Sequence, residues 1–160
     1  MPTTAITANC KLNFLTGGHN FSSSGGLAYK MLLIKSTATG TYDQTLANVG
    51  TPGSGSPSTT NVGTDEVTST GYTSGGFSLT NVAPALSSNV ATTSFSSNPT
   101  WTGVTFSTIC GVVFTNDATL GSAGRTVGVY DFGGTQTVAA GTFTVVVPSN
   151  TSSTAIIRIS

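Results

Sequence analysis

Leu27 to Lys35 is the most hydrophobic stretch of the chain, and it is apolar on both sides of a strand. Tyr29, Met31 and Leu33 point one way, while Ala28, Leu32 and Ile34 point the other and share their side with Lys30. Successive strand residues face opposite sides, so a strand without a polar face belongs at the centre of a sheet, covered above and below. Whatever else the chain forms must supply those two covers.

The remainder reads as short strands separated by turn residues. Phe77 and Leu79 alternate with Ser78 and Thr80, and Ala91 to Ser96 makes a weak, polar strand around Phe95. Gly103 to Phe114 is the longest run, with Val104, Phe106, Thr108, Cys110, Val112 and Phe114 predicted on one face. Thr126 to Phe132 and Gln136 to Val147 follow, the second with Phe143, Val145 and Val147 on the core side. Gly133-Gly134 between them reads as a tight turn, since only glycine takes positive φ freely. Ala155, Ile157 and Ile159 make a final strand with Arg158 on its other face. Two short helices are expected near the N-terminus. One runs from Ala8 to Leu15 and ends at Gly17-Gly18; the other spans Thr41 to Asn48, starting near Thr41 or Tyr42-Asp43. About seven or eight strands with turns between them predict a mainly β fold, an antiparallel sandwich or barrel. The 160 residues make one domain, 1–160, long enough to bury a core.

Composition narrows the function. Only 6% of residues are charged, five cations balancing five anions, against roughly 25% in an ordinary globular protein. Five scattered cations give no basic stripe, which argues against nucleic-acid binding by phosphate neutralisation. No apolar run approaches the roughly 18 residues of a membrane span, and Met1-Pro2-Thr3-Thr4 lacks the basic start of a secretory signal. Disorder fits poorly with 37% apolar residues and no net charge. A neutral surface does not hold copies apart, so the composition suits a subunit whose faces are covered by neighbours.

The chemistry-bearing residues are few. His19, the single histidine, sits in the turn Gly17-Gly18-His19-Asn20 without a second ligand type or a nucleophile in any motif. Asp65-Glu66 is the adjacent carboxylate pair; glycoside hydrolysis needs two carboxylates facing each other, whereas strand neighbours point apart. A solvated turn before Gly71-Tyr72 is the expected setting. Cys10 and Cys110 suffice for one disulfide, but the absence of a secretion signal favours two buried free thiols. Oxidation after assembly stays open. No GxGxxG or GxxxxGK[ST] pattern lies between a strand and a helix. The residues thus point to no catalytic group, no cofactor and no metal site.

The order of the pieces resembles a widespread family of small structural proteins of tailed bacteriophages, described as virion or head-decoration proteins. Lys11 to Phe21 (KLNFLTGGHNF) is similar to the family's N-terminal helix and Gly-His turn, and Tyr29-Lys30-Met31-Leu32-Leu33 to its first core strand. Asp65-Glu66-Val67 through Gly71-Tyr72-Thr73-Ser74-Gly75-Gly76 is similar to its E-V-x-x-x-G-Y-x-x-G-G signature. Pro99-Thr100-Trp101, Gly111-Val112-Val113-Phe114, Asp131-Phe132-Gly133-Gly134 and Gly141 to Val145 follow in the family's order. The low-complexity stretch Gly50 to Thr60 departs from it. The resemblance implies a non-enzymatic virion part, assembled in the host cytoplasm. A capsid decoration or cement protein fits first: it binds the outside of the head as a dimer or trimer and clamps major capsid subunits. A neck, tail or fibre-base component is the alternative, and a glycan-binding or glycan-degrading sandwich a third. Contacts are expected from the N-terminal segment 1–25 through Leu12 and Phe14, from loop 50–63 with Pro52 and Pro57, and from Trp101. Loop 50–63 is read either as a flexible surface loop or as an arm ordered by a partner. Trp101 is equally readable as an interface anchor or as a plug at the end of the sandwich.

Overall fold

The structure, a computed structural model, describes residues 1–115 and 124–160. They form two antiparallel sheets and one short α-helix, arranged like a sandwich and not as a closed barrel. The larger sheet has the order β1-β7-β6-β2-β3, from β1 (Ala5–Ile6), β7 (Arg125–Thr144), β6 (Thr100–Thr115), β2 (Tyr29–Lys35) and β3 (Phe77–Leu79). The smaller is β4 (Ala85–Ser87), β5 (Val90–Thr93) and β8 (Ile157–Ile159), in that order.

β2 lies where its composition requires, between β6 and β3, with Leu32, Leu33 and Ile34 fully buried. Its two covers differ in kind. Tyr29 and Met31 pack with Cys10, Phe21, Phe95 and Ile157, which come from helix α1 (Ala8–Leu15), the following turn, the segment just after β5 and β8 of the small sheet. Leu32 and Ile34 pack instead with Tyr42, Leu46, Val49 and Val62, which come from connecting segments.

Those segments include Thr41 to Asn48, which is not helical. The Asp43 carboxylate accepts the Thr45 N–H at 2.7 Å and the Thr45 hydroxyl, a local turn that competes with helix formation. The Tyr42, Gln44 and Leu46 carbonyls serve outside donors: the N–H groups of Thr3 and Ala8, and the Thr126 hydroxyl. Three carbonyls that a helix would use in its own ladder are thus taken by outside donors.

The long strands depart from simple alternation at several bulges, two of which overturn expectations from the sequence. Ile34 pairs with Cys110 but Lys35 with Thr108, so Ile109 is an extra residue in β6 and the phase of that strand flips there. Cys110, Val112 and Phe114 therefore join the cluster of Leu32 and Ile34, whereas Val104 and Phe106 pack with Leu33, Val67 and Trp101. The predicted common face is two faces. Gly133-Gly134 is likewise not a hairpin turn. Cys110 pairs with Asp131 and Thr108 with Gln136, so five steps of β7 oppose two of β6, and one strand bulges through both glycines.

Helix α1 is closed at both ends. The Thr7 side chain accepts the Cys10 N–H at 3.2 Å and donates to the Thr126 carbonyl at 3.0 Å, capping the helix and tying it to β7. At the other end Gly17 has φ +70°, and Gly18 N–H reaches the Asn13 carbonyl at 2.7 Å, a cap that needs glycine at that position. The N-terminal segment is thus built into the fold: β1 pairs with β7, and Thr3 and Ala8 bond to the 42–44 segment. Thr7→Ala is expected to lower the unfolding free energy by about 1–2 kcal/mol. In urea unfolding the midpoint should fall while the slope stays unchanged.

Candidate interaction surface

Asp65 and Glu66 are both about 1% exposed, which overturns the expected solvated turn. Asp65 ends the short 3-10 segment Gly63–Asp65, and Glu66, next to it, bridges to Ile34 of the central strand. Each carboxylate holds a different piece of chain. Asp65 Oδ2 accepts the Thr39 N–H (2.9 Å), the Gly40 N–H (2.7 Å) and the Tyr42 hydroxyl (2.8 Å). Lys35 Nζ lies 3.8 Å from its other oxygen. Glu66 accepts the Gly75 N–H (2.8 Å), the Ser74 hydroxyl (3.0 Å) and the Tyr72 hydroxyl (3.2 Å). Tyr72 in turn accepts the Leu33 N–H at 3.0 Å, so its hydroxyl takes the place of a strand carbonyl beyond the end of β3. The residues 66–76 are therefore a clasp on β2. Burial pushes the Glu66 carboxyl above its ordinary range against the pull of these hydrogen bonds, and it pushes the Tyr42 and Tyr72 phenols up as well. The acceptor capacity of this pair is consumed by loop closure.

The other residues marked out in the sequence are dispersed. Trp101 is 2% exposed: it stacks on Tyr72 at 5.5 Å and meets Phe77 edge-on, so it is a core residue of this chain and not a surface anchor. Pro52 and Pro57 are half-buried in loop 50–63, which is wired from within. Asn61 does most of this, its Oδ1 accepting the Thr51 and Gly63 N–H groups and its Nδ2 donating to the Ser54 carbonyl at 3.1 Å. Backbone bonds from Gly53 to Gly63 and from Val62 to Val49 close the base. The loop is thus closed by its own hydrogen bonds.

Leu12 and Phe14 lie on α1, and here the structure gathers a surface. The helix buries Cys10 and Asn13 and turns Leu12 (57% exposed) and Leu15 (87%) outward. Asn13 inside is held by Arg125, whose guanidinium donates to Oδ1 at 2.8 Å. Phe14 is half-buried on the wall of a groove of about 420 Å³, between the Gly17–Phe21 turn and the small sheet. His19 and Phe21 form the rest of that wall, and Ala91, Ile157 and Ile159 of the sheet form the opposite side. His19 is nine-tenths buried, with Tyr29 Oη at 3.4 Å from Nδ1 and no protein partner for Nε2. Burial, reinforced by Arg125, pushes its pKa down to about 4, so the imidazole is neutral. A second cleft, of about 580 Å³, runs between the end of β7 with Val145–Pro148 and the 154–158 segment.

Cys10 and Cys110 are free and fully buried, and burial pushes both thiols up to about 12. They are poor nucleophiles and act as small core hydrophobes. Among the described residues no three His, Cys, Asp or Glu side chains cluster as metal ligands, and no helix is long and apolar enough to cross a membrane. No protein-family model, curated protein or solved structure matches the chain.

Sequence reasoning missed Leu15, Leu86 (75% exposed) and Ile159 (54%) as surface residues. Leu15 had a signal, since it falls three residues after Leu12 on the same helix face. Leu86 and Ile159 had none, because their exposure follows from strand pairing in the small sheet.

Two outcomes check the buried groups. Glu66→Ala should cost about 3 kcal/mol by stranding three donors, and Glu66→Gln about 1 kcal/mol. Because the folded carboxyl titrates above its unfolded value, its contribution is complete at low pH and lost as pH rises through the folded pKa. The stability difference between wild type and Glu66→Gln, read by urea unfolding at pH 4 to 8, should therefore shrink with rising pH. His19 has the opposite sign. Its folded pKa lies below the unfolded 6.5, so its contribution is complete above about pH 6.5 and is lost as pH falls towards 4, by up to about 3 kcal/mol. His19→Phe should flatten that part of the acid-unfolding profile.

Proposed function

We propose that the chain is a non-enzymatic structural protein of a bacteriophage virion, a capsid decoration or cement protein seated on the outside of the head. The observation that carries this reading is the inversion of the usual placement of groups. Asp65 and Glu66 are buried and spent on holding loops, while Leu12, Leu15, Leu86 and Ile159 stand outside. Buried ionic groups used as fasteners do no chemistry on a substrate, and exposed large apolar side chains mark surfaces that partners cover. The resemblance of the order of sequence pieces to that of phage head-decoration proteins supplies the setting.

On this reading the partners are the major capsid protein and further copies of the chain. Attachment rests on apolar burial, about 25 cal/mol per Å², and on pairing of sheet edges, with little from ion pairs. Repetition at every lattice site turns weak individual contacts into a stable coat.

The test is the copy number of the chain per purified virion relative to the major capsid protein, by quantitative mass spectrometry. A ratio near one, or a simple fraction such as one third, is the expected result. A few copies up to a few dozen would overturn the head reading in favour of a neck or tail part, and absence from virions would overturn both.

A further inference from the structure

We infer that the small sheet and helix α1 form a two-fold interface with a second copy of this chain, in which β8 pairs antiparallel with β8 of the other copy. The inference rests on the self-association contained in the reading above, and it places that contact on named residues.

The small sheet ends abruptly. Its order is β4-β5-β8, so β8 has a neighbour on one side only. Leu86 pairs with Ala91 and Ala91 with Ile159, and directly opposed residues project from the same face. An apolar row thus crosses all three strands and arrives at the open edge on Ile159. Both ends of the row are exposed, Leu86 by 75% and Ile159 by 54%. An unpaired edge carrying an apolar row is a template for another strand, unless a charge, a proline or a covering element blocks it. On this face there is no charge: Arg158 projects from the opposite one, with Thr92.

The face that carries the row is the one α1 overlooks. Ala91 and Ile159 line the groove whose other wall is Phe14, His19 and Phe21. Leu15, between the groove residues Phe14 and Gly17, is 87% exposed, and Leu12 one turn back is 57% exposed. Of the six large apolar side chains that stand most exposed among the described residues, Leu86 and Ile159 carry this row, and Leu12 and Leu15 stand on the solvent side of α1.

A second copy fits because the face is complementary to itself. In an antiparallel pairing of identical edges the two-fold axis runs perpendicular to the sheet, so both helices stay on the same face. The row then continues as Leu86, Ala91, Ile159, followed by Ile159, Ala91 and Leu86 of the second copy. Register follows from charge. Pairing centred on Ile159 sets Arg158 opposite Ser160, whereas pairing centred on Arg158 would set two guanidinium groups directly opposite each other, which is destabilising. The net charge of zero adds no long-range repulsion between copies.

The experiment uses the purified chain. Sedimentation equilibrium of the wild type should give a dimer at micromolar concentration. Leu15→Glu and Ile159→Lys should each weaken it at least tenfold, with thermal melts by circular dichroism confirming that these exposed positions leave the fold intact. Ile159→Cys should cross-link to a covalent dimer under mild oxidation, since Cα atoms of opposed antiparallel residues lie about 4.5–5.5 Å apart, within disulfide reach. Val146→Cys, more exposed than Ile159 but lying beyond β7 and outside the small sheet, should not. A wild-type monomer at all concentrations, a trimer, or a dimer indifferent to Leu15→Glu and without the Ile159→Cys cross-link would overturn the inference. These results are independent of virion copy number, so the interface and the virion reading fail separately.

Discussion

A central strand without a polar face dictates this structure. β2 buries Leu32, Leu33 and Ile34 completely, and a buried strand needs apolar cover on both sides. One side receives it conventionally, from a small sheet and a short helix. The other receives it from irregular chain around Tyr42, Leu46, Val49 and Val62. Irregular chain has no regular ladder, so its N–H groups find acceptors one by one, some on backbone carbonyls such as that of Val49 and others on side chains. Asp65 accepts from Thr39, Gly40 and Tyr42 beside this cover, Glu66 accepts from residues 72–75 in the neighbouring loop, and their adjacency in sequence joins the two clamps. A carboxylate accepts up to four hydrogen bonds and donates none when ionised, which suits it to gather loop N–H groups in a confined space. In a chain with five acidic residues, placing two of them inside is a large commitment of charge to architecture.

Much of this was legible in the sequence where a single local rule decides the outcome. Tyr29–Lys35 follows from apolar residues on both faces, and Ala8–Leu15 from the stop at Gly17-Gly18 after it. The mainly β class follows from turn residues spacing short apolar runs. The errors share a cause, which is tertiary pairing overriding a local rule. Thr41 to Asn48 has a helix-like start, but its carbonyls are claimed by Thr3, Ala8 and Thr126. Gly103 to Phe114 alternates perfectly on paper, yet one extra residue at Ile109 exchanges its faces. Gly133-Gly134 has the composition of a turn and serves as a bulge, because β6 continues beside it and keeps β7 running in one direction.

Contact residues were less legible still, for a related reason. Trp and Pro draw attention by type, but exposure is a property of the folded chain. Trp101 lies under Tyr72 and Phe77, where its size fills the space beside Leu33 and Val67. Leu15 and Ile159 are ordinary residues whose exposure comes from standing at the end of a helix and the edge of a sheet. Of the residues marked out in advance, Leu12 and Phe14 lie on the surface that the structure assembles, because a helix carries its face with it wherever it docks.

An uncharged contact surface has physical consequences that an ionic one does not. Association through Leu12, Leu15, Leu86 and Ile159 would depend on apolar area and edge pairing, so screening by salt removes little of it. The same surface offers no long-range steering, and encounter then proceeds at the slower rates of neutral partners. For a chain that must find its place once and remain there, a slow approach costs little, and a contact insensitive to ionic strength keeps its hold when the surroundings change. On the proposed reading, that combination would favour a permanent structural partner over a transient one.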